Sequence, residues 1–227
     1  MDDEIMRFLK ESIERNEREA KEALMKKKQE KVLQLLEKSG LGKRFAKRTF
    51  ENFKAENEEL KKALLKARGF VEKFPDVEQG LMFVGPVGVG KTHLAAAIAN
   101  ELINNLYSVV FGNVTDLITL IRSTYSKEAD ITEAEIIKTF TEDTDLLIID
   151  DLGKENVSEY TATILYQIIN RLYEYEKPLI ITTNFNSSML KRKFGEKGDA
   201  IVSRIAEMCE FVKISSDDWR LKNARND

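Results

Sequence analysis

The chain has 227 residues and a formal net charge of -3 at pH 7, with 36 Lys and Arg residues against 39 Asp and Glu residues. Hydrophobic residues make up 42% of it, enough to bury the core of one domain with an appendage. A single Cys and a single His exclude a disulfide scaffold and a zinc module, and the net charge excludes nucleic-acid binding by bulk charge. No apolar stretch approaches the roughly 20 residues of a membrane span, and the acidic start lacks a signal-peptide pattern. We therefore expect a cytoplasmic protein that binds neither zinc nor membranes.

The first part of the chain is strongly charged and helix-forming. Residues 3–38 contain no Gly or Pro and are rich in Glu, Lys and Arg, which favours a helix that ends near Gly40. Apolar residues gather at its two ends, and its middle carries too many charges to pack deeply. Two interpretations remain open, a solvated helix or a helix that binds another protein. The apolar stripe available for such binding is Ile5, Met6, Leu9 and Ile13.

Strands and helices alternate along the rest of the chain. A loop leads to Phe53, and helical spacing of apolar residues follows from 56 to 74. Short apolar strands are predicted at 81–84, 108–111, 146–149, 179–183 and 211–214. Further helices are predicted at 91–102, after Asp116, from the capping box Thr132-x-x-Glu135, at 157–173 and at 198–208. Continuous apolar strands separated by helices are typical of an α/β fold whose parallel sheet is covered on both faces.

The strongest functional signal is a glycine-rich loop directly after the first of these strands. It reads Gly85-Pro86-Val87-Gly88-Val89-Gly90-Lys91-Thr92 and matches G-x-x-x-x-G-K-[ST] between a strand and a helix. Glycines let backbone N–H groups turn toward phosphate oxygens, and the helix N-terminus adds positive potential. Lys91 is predicted to contact the β- and γ-phosphates and Thr92 to ligate Mg²⁺. His93 completes the predicted ATP-binding segment and, with no second ligand nearby, is structural or solvent-facing rather than a metal ligand.

A site of this kind needs acidic groups at the end of a second strand. The strand at 146–149 runs into Asp150-Asp151. Asp150 is predicted to hold Mg²⁺ and Asp151 to act as the general base for the attacking water. Glu155 is the alternative base, and a turn or helix cap is the structural alternative for the Asp pair. The sequence therefore predicts a site for ATP and Mg²⁺.

Five short motifs occur together in this chain. They are Gly85–Thr92, Asp150-Asp151-Leu152-Gly153, Thr182-Thr183-Asn184, Ser203-Arg204 and Asp218-Trp219-Arg220. In combination they resemble the AAA+ ATPases of the DnaC/DnaI helicase-loader and IstB group, over roughly residues 41–220. The resemblance implies a P-loop NTPase (AAA+) three-layer sandwich without a C-terminal lid domain, formed by residues 43–227. Residues 1–42 would form a helical extension that docks on a helicase.

The resemblance also implies roles for three polar side chains. Asn184 would orient the attacking water, although Asn184 or Asn186 could equally cap a helix. Arg204 would be the arginine finger that acts on the nucleotide of a neighbouring subunit, with a surface salt bridge as the alternative. Arg220 would reach the γ-phosphate from its own chain, although few residues remain to build the lid that carries this Arg in many relatives.

Loaders of the group hold single-stranded DNA inside a spiral assembly. Binding of a single strand uses aromatic faces for stacking and cations near the backbone. Partial core packing is the alternative role for each aromatic residue. The candidates for DNA contact are Arg122, Tyr125, Lys127, Ser158 and Tyr160.

These predictions lead to four hypotheses about the function. The leading hypothesis is an ATP-switched loader of a hexameric, DnaB-type replicative helicase onto single-stranded DNA, which self-associates through Arg204. An IstB-like transposition helper that binds duplex DNA and recruits a transposase shares the same ATPase core. A small-molecule phosphotransferase and an adaptor that binds ATP but scarcely hydrolyses it are the remaining alternatives.

Overall fold

The structure is a computed structural model and describes residues 2–39, 47–126 and 129–216. Its helices are α1 (Asp2–Ser39), α2 (Glu58–Lys73), α3 (Lys91–Asn104), α4 (Val114–Ser123), α5 (Glu133–Lys138), α6 (Glu159–Glu174), α7 (Ser187–Lys193) and α8 (Gly198–Met208). Its strands are β1 (Gly80–Val84), β2 (Val109–Asn113), β3 (Leu146–Asp150), β4 (Leu179–Thr183) and β5 (Cys209–Lys213). Within these ranges we find no helix with the length and apolar character needed to span a lipid bilayer.

The five strands form one sheet in the order β2-β3-β4-β1-β5. Every neighbouring pair is parallel, so all carboxyl ends lie at the same edge of the sheet. Ligands of open α/β sheets bind at this edge. Because β4 lies between β1 and β3, the segments that follow these three strands meet at the centre of the edge. The predicted α/β fold with a parallel sheet is confirmed. Only residues 214–216 are described after β5, and the absence of a lid domain remains a prediction.

Buried apolar residues form one core on each face of the sheet. On one face, α2 and α3 cover strand residues such as Phe83 and Ile148. On the other face, α4 to α8 cover the alternate strand residues, such as Met82 and Ile149. Successive residues of a strand point to opposite faces, so a strand covered on both sides is apolar at every position. This requirement explains why the strands appear in the sequence as continuous apolar runs.

Side chains that precede the helices fix where five of them begin. The predicted capping box is present, because the Thr132 hydroxyl oxygen accepts a hydrogen bond from the backbone N–H of Glu135 and the Glu135 carboxylate accepts one from the backbone N–H of Thr132. Helix α4 begins at Val114 and not after Asp116 as predicted, because Asn113 caps it. The five capping residues are Asn57, Asn113, Thr132, Ser158 and Asn186.

The charged amino-terminal stretch forms one helix, α1, which approaches α4 and the edge strand β2. Met6 and Ile13 of the predicted apolar stripe are 67% and 56% exposed. The side chains of Ile5 and Leu9 lie outside the described residues. Binding of a partner through this stripe, and a domain boundary near residue 42, remain predictions.

We expect Gly80→Ala to destabilise the protein by about 3 kcal/mol, at the upper end of the range for overpacking. A Cβ at Gly80 would lie 1.9 Å from the backbone oxygen of Leu179, where β1 pairs with β4. Gly69→Ala in α2 is the matched control, because a Cβ there meets nothing within 4 Å. It should stabilise the protein by up to about 1 kcal/mol. The midpoint of urea unfolding measures both changes. Equal midpoints for Gly80→Ala and the parent would contradict the close approach of β1 to β4 at this position.

Candidate functional site

The glycine-rich loop connects β1 to α3. Gly88 and Gly90 have φ angles of 81° and 96°, in the left-handed region that residues with a Cβ rarely adopt. Gly90 directly precedes α3, whose first N–H groups have no acceptor within the helix and favour an anion. Lys91 is buried, and its Nζ donates a hydrogen bond of 2.6 Å to the carbonyl oxygen of Pro86. The loop therefore combines the N-terminus of a helix with a buried cation, as phosphate binding requires.

Residues 47–53 lie against this loop and the start of α3. The Phe53 ring covers Gly90, where a Cβ would lie 2.6 Å from Phe53 Cε2. His93 contacts Phe53 edge to face, with 5.2 Å between the ring centroids, and its Nε2 lies 2.9 Å from the Thr49 carbonyl oxygen. A carbonyl only accepts hydrogen bonds, so the proton of His93 is on Nε2. Burial lowers the pKa of His93. The ring is therefore neutral at pH 7 and links α3 to the preceding segment.

Asp150 is the centre of a buried hydrogen-bond network. One of its oxygens, Oδ1, accepts from Thr92 Oγ1 at 2.8 Å and from Thr182 Oγ1 at 2.6 Å. The residue is only 6% exposed, and burial raises the pKa of its carboxyl while the two hydroxyl bonds oppose that shift. The Thr92 hydroxyl and the Asp150 carboxylate offer only oxygen, the ligand that Mg²⁺ prefers. These two residues fit the predicted metal site.

Thr182 is a site residue for which the sequence predicted no role. Besides donating to Asp150, its hydroxyl oxygen accepts from the backbone N–H of Asp151 at 2.9 Å. Its carbonyl oxygen accepts from the N–H of Leu152 at 2.8 Å. The end of β4 therefore holds the acidic turn after β3 in place. The motif Thr182-Thr183-Asn184 was the available signal, but only the strand order shows which side chain lies beside Asp150.

The two candidate bases occupy different environments. Asp151 has a left-handed φ of 54°, and its carboxylate is 3.1 Å from Lys154 Nζ. Glu155 is half-buried, and burial raises the pKa of its carboxyl. Its Oε1 accepts from the N–H of Gly153 at 3.3 Å. Both carboxylates belong to the same turn, and the choice of Asp151 as base remains a prediction.

Asn184 follows β4, between the loop after β1 and the acidic turn after β3. Its Oδ1 is buried and has no hydrogen-bond partner within the described part of the chain. The cap of α7 is Asn186, which accepts from the N–H of Met189 at 2.9 Å. Asn184 is therefore free of the capping role that the sequence left open. An unsatisfied buried acceptor is unfavourable and is suited to bind a water molecule.

The remaining predicted catalytic residues lie elsewhere. Arg204 on α8 stacks on rings of α6, with its Cζ 5.1 Å from the centroid of Tyr166. Among the described residues it contacts Tyr166, Tyr173 and Ala200, none of which belongs to the glycine-rich loop. Arg220 lies outside the described residues, as does the predicted DNA contact Lys127.

Three of the predicted DNA-contacting residues meet at one surface. The Arg122 guanidinium lies 5.2 Å from the Tyr160 ring centroid, and the Tyr125 and Tyr160 hydroxyls are 2.9 Å apart. Both hydroxyls donate to Glu133 Oε2, a residue that the sequence did not single out. Burial and these hydrogen bonds raise the pKa of Tyr160, so its hydroxyl remains a donor at neutral pH. We call Arg122, Tyr125, Glu133 and Tyr160 the tyrosine cluster.

Ser158, the fifth candidate, has a structural role next to this cluster. It caps α6, and its Oγ accepts from the backbone N–H of Thr161 at 3.1 Å. Tyr125 is 63% exposed, whereas Tyr160 also packs against the core. The cluster therefore presents one exposed ring, one partly covered ring and one cation.

Comparison with known proteins identifies the family. The model of the IstB-like ATP binding protein family matches residues 10–227. This chain belongs to the IstB-like ATP-binding family. The match covers the glycine-rich loop, the acidic turn and the tyrosine cluster, so the predicted group membership is confirmed.

Several relatives and structural neighbours of this chain are named as DNA replication proteins. The replicative helicase loader DnaC of Escherichia coli is 32% identical over 167 residues, which cover 74% of this chain and 67% of that protein. A crystal structure of the DnaC helicase loader superposes with a TM-score of 0.66 at 31% identity, covering 77% of this chain and 100% of that chain. The replication initiator DnaA bound to AMPPCP and single-stranded DNA superposes with a TM-score of 0.63 at 26% identity. The match covers 78% of this chain and 51% of that chain.

We expect Asp150→Asn to raise the melting temperature of the nucleotide-free protein by about 2–4 °C, the shift that 1 kcal/mol gives in a chain of this size. The carboxyl pKa is raised by burial, so the folded state binds this proton more tightly than the unfolded state does. The parent should therefore lose stability as the pH rises from the ordinary pKa of Asp, about 3.9, through the raised value. The amide keeps an acceptor for both hydroxyls and carries no charge.

Asp151→Asn is the matched control for this experiment, because the Asp151 carboxylate is partly exposed and paired with Lys154. Its effect on the melting temperature should be small. Differential scanning calorimetry between pH 4 and pH 8 measures both variants. Equal melting temperatures of the parent and Asp150→Asn at neutral pH would contradict a destabilising buried charge.

Proposed function

We propose that this protein is an ATP-dependent loader that places a hexameric, DnaB-type replicative helicase on single-stranded DNA. The observation that carries the proposal is that the glycine-rich loop, Asp150 and Thr182 meet at the ends of β1, β3 and β4 in a chain related to the DnaC loader. Lys91, Thr92 and Asp150 supply the charge and oxygen ligands that a triphosphate with its metal requires. The helicase is proposed as the partner because the relatives are named as helicase loaders.

Each residue of the site has a part in the proposed hydrolysis of ATP. Lys91 and the loop N–H groups hold the phosphates, while Thr92 and Asp150 hold Mg²⁺, which neutralises charge on the phosphate oxygens when bound. Asp151 accepts the proton of the attacking water, and its contact with Lys154 must open for this. The free Oδ1 of Asn184 orients that water.

The neighbouring copy completes the site in this proposal. Arg204 of the adjacent subunit reaches the γ-phosphate and stabilises the charge that develops in the transition state. Its described contacts do not include an acid of its own chain that would neutralise it. Hydrolysis would therefore depend on assembly, which makes ATP a switch between assembled and released subunits.

The tyrosine cluster is the proposed surface for single-stranded DNA. Bases stack on aromatic faces, and Arg122 provides a cation next to the Tyr160 ring. The DnaA structure with single-stranded DNA shows that a related fold binds this ligand. The exposed helix α1 is the proposed docking element for the helicase.

A transposition helper that binds duplex DNA is the second candidate, because the matching family model is described as IstB-like. The ATPase core serves both functions equally well. Direct comparison of binding to single-stranded and duplex DNA of equal length separates them. A preference for the duplex would favour the helper and contradict the loader.

We expect ATP hydrolysis to require a neighbouring copy. Lys91→Ala removes the cation for the phosphates, and Arg204→Ala removes the guanidinium, so each variant alone should lose about 1,000-fold or more in rate, from the lower end of the range for an arginine finger upward. Mixing the two should restore activity, because Arg204 of one chain can serve the intact pocket of the other. Phosphate release measures the rates with and without single-stranded DNA.

The outcome that contradicts this proposal is an absence of rescue in the mixture, with each variant folded and Arg204→Ala still binding ATP. Rescue together with failure to bind any replicative helicase would reject the loader and keep the assembly-dependent ATPase. Deletion of residues 2–39 is the matching test of helicase docking and should abolish binding without changing ATP affinity.

We expect Tyr160→Leu to weaken binding of single-stranded DNA about tenfold, within the range for loss of one stacking ring. Tyr175→Leu is the matched control, because Tyr175 is an exposed tyrosine at the opposite end of α6. Fluorescence anisotropy with a labelled oligonucleotide measures both affinities. Equal losses in the two variants, or none in Tyr160→Leu, would contradict the proposed DNA surface.

A further inference from the structure

Two tyrosines of α6 flank the guanidinium of Arg204. Its Cζ lies 5.1 Å from the ring centroid of Tyr166 and 5.8 Å from that of Tyr173. The two tyrosines are seven positions apart on the helix and therefore on the same side of it. Because α6 packs directly against α8, this side faces the helix that carries Arg204. Both rings attract the same cation through their π-electrons.

The second ring is itself held in place. The Tyr173 hydroxyl donates to Glu207 Oε1 at 3.0 Å. Glu207 lies three residues after Arg204 on α8, and its backbone carbonyl accepts from Gln79 Nε2 at 3.0 Å. The ring of Tyr173 is thus tied to the helix that carries the arginine. A side chain with many rotamers, such as Arg, gains a defined orientation from such neighbours.

The charge of Arg204 is not neutralised within the described part of the chain. None of the ion pairs between described residues includes it. Among the described residues it makes one hydrogen bond, a long one from Nη1 to the carbonyl oxygen of Ala200 at 3.4 Å, and its buried Nε finds no acceptor there. Ring faces attract a guanidinium without using the N–H donors at its edge. The terminal nitrogens therefore keep donors for an outside anion.

We propose that Tyr166 and Tyr173 are positioning residues that fix the plane of the Arg204 guanidinium for the phosphates bound by a neighbouring copy. This inference rests on the proposed function, in which Arg204 acts between copies. The tyrosines touch no substrate and work only through the arginine. Orientation before assembly lowers the entropy that the long side chain loses when it reaches the transition state.

The mixing experiment described above tests the proposal when Tyr166→Leu is added to one partner at a time. Lys91→Ala chains donate their arginine, and Arg204→Ala chains offer their pocket. In the arginine donor, Tyr166→Leu should lower the rescued rate about tenfold, as expected when a partly desolvated cation–π contact is lost. In the pocket donor it should change nothing, because that chain has no arginine to position. Tyr166→Phe in the arginine donor keeps the ring and should keep the rate.

Tyr173→Phe and Arg204→Lys refine the test. Tyr173→Phe removes only the bond to Glu207 and, in the arginine donor, should lower the rate by about twofold to fivefold, less than loss of a ring. Arg204→Lys keeps the charge but not the flat group that stacks on two rings, so it should be as inactive as Arg204→Ala. Melting temperatures and ATP affinities are measured for every chain.

The outcomes separate the inference from the function on which it rests. No rescue by the unmodified pair overturns the proposed function itself. Rescue that Tyr166→Leu lowers equally in either partner, or in neither, leaves the function standing and overturns the inference, since a general packing role is not specific to the arginine donor. A rate that rises with Tyr166→Leu in the arginine donor also overturns it, because the rings would then restrain the arginine.

Discussion

The site depends on one carboxylate oxygen that is held by two hydroxyl groups. Asp150 Oδ1 accepts from Thr92 at the start of α3 and from Thr182 at the end of β4. These two bonds join the start of α3 to the middle of the sheet around a buried acid. Burial opposes the charged form of Asp150, as its raised pKa shows, and the hydroxyls only partly compensate. The protein keeps an unfavourable charge where a hard cation would make it favourable.

Strand order explains why the parts of this site meet. With β4 between β1 and β3, Thr182 and Asn184 lie between the glycine-rich loop and the acidic turn. Two features at this edge are energetically unfavourable. Asp151 has a left-handed backbone, and the buried Oδ1 of Asn184 has no hydrogen-bond partner among the described residues. Unfavourable conformations and unsatisfied polar atoms persist where function requires them and the surrounding fold is rigid.

Helix α6 connects the surfaces that the proposals use. It follows the acidic turn, is capped by Ser158, carries Tyr160 of the tyrosine cluster near its start, and carries Tyr166 and Tyr173 against Arg204 further along. The buried side of α6 packs in the larger core, which fixes the positions of its other residues relative to the sheet. One helix therefore carries residues of both proposed surfaces, Tyr160 for the proposed DNA contact and Tyr166 with Tyr173 against Arg204.

The sequence alone determined the parallel α/β fold, the phosphate loop and the acidic strand end, because these depend on local spacing. Continuous apolar runs reveal strands buried on both faces, and G-x-x-x-x-G-K-[ST] contains its chemistry within eight neighbouring residues. It also determined the capping box of α5, whereas it placed the start of α4 late, since Asn113 and Asp116 are both good capping residues. Only the tertiary structure decided that Thr182 holds Asp150, that Glu133 joins Tyr125 and Tyr160, and that two tyrosines flank Arg204. These contacts join residues that are 8 to 38 positions apart and on different elements, and a hydroxyl or ring in the sequence does not show which distant group it will face.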